Sequence, residues 1–251
     1  MVLVYRRSEG PKCQRALAAL TFERSRGMKH KYALYPIIMS ICALLCFIAV
    51  LILFSGAVQP LWGRMMLLIL PALLLGLLAL CAAKGKLGVS ATAIWTTVLT
   101  IVLFLGSLLY VSVLSVRTAT TTTTDLRYYS RAYAQIQAGA GVSDVFPQSV
   151  PVDADDITFS YHPQFLQGGE VFELSYTATE EKLTEWATLL KSEAQWIGSN
   201  QIWHAENNWG FHGVDALRYQ LYWDGGFNHG EICYVLIHEE TERITFYYSK
   251  W

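Results

Sequence analysis

The sequence predicts a membrane protein with three transmembrane helices followed by a C-terminal α+β domain, an antiparallel sheet of about five strands with one packed helix. Three observations carry that prediction. Charge is nearly missing between Tyr32 and Val116, where Arg64, Lys84 and Lys86 are the only charged side chains, although 16% of the whole chain is charged. The apolar runs separated by these residues are each long enough to cross a bilayer. From residue 157 onward the apolar residues alternate with polar ones, the period of a half-buried strand.

Residues 1–32 form a basic segment, eight Lys or Arg against Glu9 and Glu23, for a net charge of +6. The spans follow at residues 33–54, 65–83 and 87–116. A helix advances about 1.5 Å per residue and a hydrocarbon core is about 30 Å thick, so about 20 apolar residues are needed. Each run supplies them. No Asp, Glu, Lys, Arg or His lies in the middle of a span, which argues against a transporter or pump, whose ion paths such residues mark. Pro71 is expected to bend the second span, and Ala72 with Gly76 forms a small-xxx-small pair that permits close helix approach. Thr92, Thr96 and Thr100 repeat every four residues on one face of the third span. Their hydroxyls either bond across a helix interface or bond back to their own helix, and packing is the expected role of that face.

Short flanking segments keep their Lys and Arg in the cytoplasm. The basic head and the turn with Lys84 and Lys86 stand against a single Arg64 in the loop of residues 55–64. The expected arrangement is a multi-pass plasma-membrane protein with a cytoplasmic N-terminus and an extracytoplasmic C-terminal domain, anchored at the interface by Trp62 and Tyr110.

Residues 117–144 read as a stalk: a threonine-rich extended spacer, then a stretch near residues 125–138 that suits a helix ended by Gly139 and Gly141. The domain itself covers residues 145–251. Ile157, Phe159 and Tyr161 alternate with Thr158 and Ser160, and Phe172, Leu174 and Tyr176 alternate with Glu173 and Ser175, giving two strands. Thr177 and Glu180 have capping-box spacing, and Leu183, Trp186, Ala187, Leu190 and Ala194 lie on one side of a helix of about 16 residues. Strands around Leu217, Ile232 and Ile244 complete a meander. Cys42, Cys46 and Cys81 lie in apolar runs and Cys13 in the head, so Cys233 is expected to be a buried, unpaired thiol.

From Arg117 to the end, eight basic residues face eighteen acidic ones, a net charge of −10 that excludes nucleic acid as a partner. No nucleophile elbow, phosphate loop or Cys/His pairing is present. Asp153, Asp155 and Asp156 lack the glycine and distant glutamate of a calcium loop and read as a solvated turn. His204, Glu206, His212 and Asp215 are residue types that bind zinc, but their spacing fits no helical His-x-x-x-His pair, and no cofactor is expected. Trp203, His204, Trp209, Phe211 and His212 form the candidate ligand-binding segment, because loop aromatics beside polar groups make contact surfaces for a peptide, a sugar or a partner protein.

The entry Phe146-Pro147 with Pro151, followed by Phe159-Ser160-Tyr161-His162-Pro163 and Gly168-Gly169, resembles segments of uncharacterised multi-span membrane proteins of Gram-positive bacteria. The resemblance covers residues 146–176, up to Tyr176. It implies a cell-envelope setting without an outer membrane and names no activity. The expected function is that of a non-enzymatic plasma-membrane protein, embedded in the lipid bilayer, whose outer domain binds or senses a cell-surface ligand or another membrane protein. Two other readings stand beside it: a membrane-anchored metal-dependent hydrolase using residues 204–215, and an accessory subunit of a larger membrane complex.

Overall fold

The computed structural model describes residues 11–137, 144–165, 169–206, 215–226 and 229–251, with the backbone alone for residues 11–31 and 204–206. The chain forms two compact units, Met1–Gly56 with Leu61–Leu114 and Ala57–Pro60 with Ser115–Trp251.

In the first unit, α1 (Pro11–Phe54) is one helix of 44 residues that runs from the basic segment into the first apolar run without a break. The second run is divided into α2 (Trp62–Met65), a 3-10 turn (Met66–Ile69) and α3 (Leu70–Ala83). Pro71 was expected to bend a continuous helix. Instead it sits in the first turn of α3, where its missing N–H would have had no intrahelical partner. The third run is α4 (Val89–Thr120). Three helical stretches, Tyr32–Phe54, Trp62–Ala83 and Val89–Thr120, are long and apolar enough to cross a membrane.

Residues 117–120 were expected to be extended but continue α4, and the Thr120 and Thr121 hydroxyls bond back to the Val116 and Arg117 carbonyls at 2.9 and 2.5 Å. Back-bonding satisfies the polar side chains without ending the helix. Thr92 and Thr96 do the same inside α4, to Gly88 and Thr92 at 2.9 and 2.7 Å. The small-xxx-small pair does face a neighbour: Ser40 Oγ of α1 donates to the Ala72 carbonyl at 2.8 Å, and a Cβ on Gly76 would lie 3.4 Å from that same oxygen.

The second unit contains α5 (Tyr129–Ile136), β1 (Asp155–His162), β2 (Glu170–Thr177), α6 (Glu180–Glu193), β3 (Trp196–Ser199), α7 (Asn200–Glu206), β4 (Leu217–Asp224), β5 (Glu231–His238) and β6 (Arg243–Lys250). Its sheet is antiparallel and six-stranded, in the order β1-β2-β6-β5-β4-β3. The expectation of about five strands missed β3, which has only four residues, one of them Gly198, and no apolar alternation. The segment expected to be a stalk is also more than a linker. Tyr129, Ala132, Tyr133 and Ile136 form an i, i+3, i+4, i+7 stripe on α5 that is buried in the core of the sheet domain.

Residues of alternate parity on β1, β2, β6, β5 and β4 point into that core, among them Phe159, Phe172, Phe246, Val235 and Tyr219. Trp186 of α6 meets Phe246 edge to face, with ring centroids 5.1 Å apart. Cys233 is fully buried among them. The cap of α6 is Thr179, whose hydroxyl accepts from the Lys182 N–H at 3.4 Å, not the expected Thr177. Thr177 still belongs to β2 and donates to the Asp155 carbonyl at 3.0 Å, because strand pairing claims it first.

Candidate functional site

Since successive strand residues point to opposite faces, the residues between the core positions form a second face. The register aligns Ser160, Glu173, Tyr247, Tyr234 and Gln220 in one row across five strands. Thr158, Ser175, Thr245, Leu236 and Arg218 form the next row. Both core helices, α5 and α6, contribute to the opposite side. On the second face Ser160, Glu173, Tyr247 and Tyr234 are half-buried and Thr158 is exposed.

At the β4 end of this face lies Arg218, which is fully buried. Its guanidinium carbon is 3.5 Å from the centre of the Trp203 ring and 3.6 Å from that of Tyr234. Nε and Nη2 donate to Gln220 Oε1 at 2.9 and 2.7 Å, and Nη1 donates to Asn200 Oδ1 at 3.1 Å. Gln220 in turn donates through Nε2 to the Cys233 carbonyl at 2.9 Å and to the Tyr222 carbonyl. Among the described residues no carboxylate lies within ion-pair distance of this guanidinium. Its charge is held by two aromatic faces and neutral acceptors, and burial pulls its pKa down to about 10, so it stays ionised at neutral pH.

The aromatic stack continues past it. Tyr234 and Tyr247 are stacked with ring centroids 4.7 Å apart and an interplanar angle of 20°. Beyond Tyr247 in the row comes Glu173. Burial raises the pKa of its carboxyl, an effect that Arg243 partly opposes. Arg243 is committed elsewhere: Nη1 is 2.6 Å from Asp156 Oδ2, Nε donates to Ser175 Oγ at 2.7 Å, and Nη2 donates to Thr158 Oγ1 at 3.2 Å. A bulge between Asp155 and Thr158, with Asp156 at φ 45°, re-aims the Asp156 side chain toward this arginine.

Of the residues singled out from sequence, Trp203 is buried on α7 and its ring meets both Arg218 and, at 5.2 Å and 89°, Trp223. It braces the face from beneath α7. His204 and Glu206 lie on α7, with the backbone alone described, and Asp215 is exposed. Trp209, Phe211 and His212 lie outside the described residues. Among the described residues no group of three His, Cys, Asp or Glu is placed to hold a metal ion.

Sequence reasoning passed over Arg218, Gln220, Glu173, Tyr234 and Tyr247. One signal was available: Arg218 and Gln220 interrupt the strand Leu217-Tyr219-Leu221 with a buried charge and its acceptor, which is unusual for a side expected to face water. No protein-family profile, curated protein or solved structure matches the chain.

Proposed function

We propose that the chain is a non-enzymatic, multi-pass plasma-membrane protein whose extracytoplasmic domain binds or senses a ligand on the second face of its sheet. The observation that carries this reading is the row from Ser160 to Gln220: a half-buried carboxylate and a stacked tyrosine pair, braced by the Arg218 cluster, on the face turned away from α5 and α6. Half-buried polar groups on a rigid sheet are preorganised for recognition, because their orientation costs little at the moment of binding. The orientation rests on the clustering of Lys and Arg in the head and in the turn with Lys84 and Lys86, which favours a cytoplasmic N-terminus.

Alkaline phosphatase fused after Trp251 should be active in cells and a green fluorescent protein fused at the same place dark. The reverse pattern overturns the topology. Purified full-length protein in detergent should be metal-free by elemental analysis and inert on ester, phosphate and peptide substrates. Stoichiometric zinc that resists dialysis and is lost on His204→Ala would support the hydrolase instead.

One observation favours the accessory-subunit reading. A cavity of about 420 Å³ in the first unit, lined by Cys42, Phe47, Pro71, Thr100 and Phe104, contains the buried Thr100 hydroxyl, which has no hydrogen-bond partner among the described residues. A helix from another subunit with an acceptor at that depth would satisfy it. A stoichiometric second polypeptide recovered in mild detergent, lost on Thr100→Leu, supports that arrangement.

A further inference from the structure

Across the second face the side chains follow one another as Trp203, Arg218, Tyr234, Tyr247 and Glu173. Arg218 is a cation held between two rings, at 3.5 Å from one and 3.6 Å from the other. It approaches Tyr234 from the β4 side, while Tyr247 stacks on Tyr234 from the β6 side. One face of the Tyr247 ring is therefore taken by Tyr234. On the side away from Tyr234, the cross-strand neighbour of Tyr247 is Glu173 on β2. An aromatic ring and a half-buried carboxylate thus stand side by side on neighbouring strands of this face. Among the described residues Arg243 is the cation that acts on Glu173, and it is tied to Asp156, Ser175 and Thr158.

We propose that the position beside Tyr247 and Glu173 binds a small organic cation, an alkylammonium ligand, with Glu173 as its counter-charge and the Tyr247 ring as its aromatic wall. The inference rests on the reading of the second unit as a binding domain and gives its ligand a chemical class. A ring face attracts a cation through its quadrupole, and a half-buried carboxylate is screened less than one in open water, so the two act on the same charge. From Arg117 to the end the chain carries eighteen acidic residues against eight basic ones, which raises the local concentration of cations and disfavours anions. The open part of the row spans β1, β2 and β6, about 10 Å at the ordinary strand spacing, which suits a small molecule more than a protein surface.

The experiment uses full-length protein in nanodiscs of zwitterionic lipid, with radiolabelled butylammonium and tetramethylammonium as cationic probes and glutarate as the anionic control, in equilibrium dialysis. Saturable binding of at least one ammonium probe, one per chain, is expected, with none for glutarate. Glu173→Gln should weaken it about tenfold, and Tyr247→Ala about threefold or more, while Tyr247→Phe, which keeps the ring, should preserve it. Glu185→Gln on α6, on the opposite side of the sheet, controls for diffuse attraction and should change nothing. Near-UV circular dichroism of each variant confirms that the aromatic stack persists. The proposal is overturned if neither cation saturates, if glutarate competes, or if folded Glu173→Gln binds like wild type. Those results would leave the topology reporters untouched, and an inverted topology would leave the ammonium site standing, so the two failures are separable.

Discussion

The Arg218 guanidinium carbon lies 3.5 Å from the centre of the Trp203 ring, and that contact joins α7 to the sheet. The arginine is fully buried, and Asn200, the first residue of α7, accepts from its Nη1 at 3.1 Å. Removing the guanidinium would take both of its donors from Gln220 Oε1 in a site closed to water, besides opening a cavity. Arg218→Ala should therefore destabilise the second unit by about 3 kcal/mol. Arg218→Lys should cost about 1–2 kcal/mol, since a point charge cannot serve two acceptors with a planar fork. Urea unfolding of the full-length protein in micelles, followed by near-UV circular dichroism, measures both. Equal stability of the alanine variant and wild type would refute the bracing role.

Glu173 gives a pH dependence with a definite sign. Burial raises its folded pKa above the unfolded value, so the ionised form is penalised only in the folded state. Arg243 favours its ionisation, and the Glu173 charge in turn adds to the burial that pushes up the pKa values of the Tyr234 and Tyr247 hydroxyls. Below the unfolded pKa the carboxyl is neutral in both states and there is no penalty. As pH rises through the folded pKa the penalty appears in full. Glu173→Gln should thus melt higher than wild type at neutral pH and together with it at strongly acidic pH. Parallel melting temperatures across the whole range would rule this out. A carboxylate that lowers stability and is kept on an open face is the trade-off expected of a binding group.

The candidate site was hidden in the sequence for a reason of distance along the chain. Glu173 and Tyr247 stand 74 positions apart, and only the pairing of β2 with β6 makes them neighbours. Periodicity shows which residues of a strand share a face but not which strands are adjacent, so the row could not be assembled. The three long apolar helices were legible because the near-absence of charge leaves a signal in composition alone. The stripe on α5 was legible as a helix, but its burial depended on partners such as Phe159 and Phe172, which meet Tyr129 at 5.4 and 5.5 Å.

The start of α6 separates two threonines that sequence spacing confused. Thr179 caps the helix by accepting from Lys182 N–H, and Glu180 and Glu181 in its first turn complement the helix dipole. Thr179→Ala should cost about 1 kcal/mol. Thr177→Ala, which removes one exposed hydroxyl contact to the Asp155 carbonyl, should cost less than half as much. Urea midpoints of the two variants decide the assignment, and a larger loss for Thr177→Ala would restore the capping box to its expected place.

Membrane orientation is accessible through Val152, a fully exposed residue between Pro151 and β1. Cys233 is fully buried, so it should react slowly in the folded protein and leave a low background. Val152→Cys should react with a membrane-impermeant maleimide on intact cells, whereas Cys13 in the basic head should react only after lysis. Labelling of Val152→Cys that also requires lysis places the domain in the cytoplasm.

Gly230 precedes β5 because of what stands over it. A Cβ there would collide with the Trp251 indole and lie 2.8 Å from the Asp224 carbonyl, while Trp251 N–H donates to the Gly230 carbonyl at 2.9 Å. Trp251 is thus pinned by the backbone of the residue it covers, and its ring passes the contact on to Trp223 at 5.8 Å and so to Trp203 at 5.2 Å. Gly230→Ala should expel the indole, shift tryptophan emission to the red and cost about 1–3 kcal/mol, the usual range for overpacking. The clash with Asp224 could produce a similar loss by itself, so the decisive variant combines Gly230→Ala with Trp251→Ala. If the indole is the cause, the double variant should be no less stable than Trp251→Ala alone, since the methyl then enters vacated space. Additive losses would assign the effect to the backbone contact and detach the tryptophan cluster from Gly230.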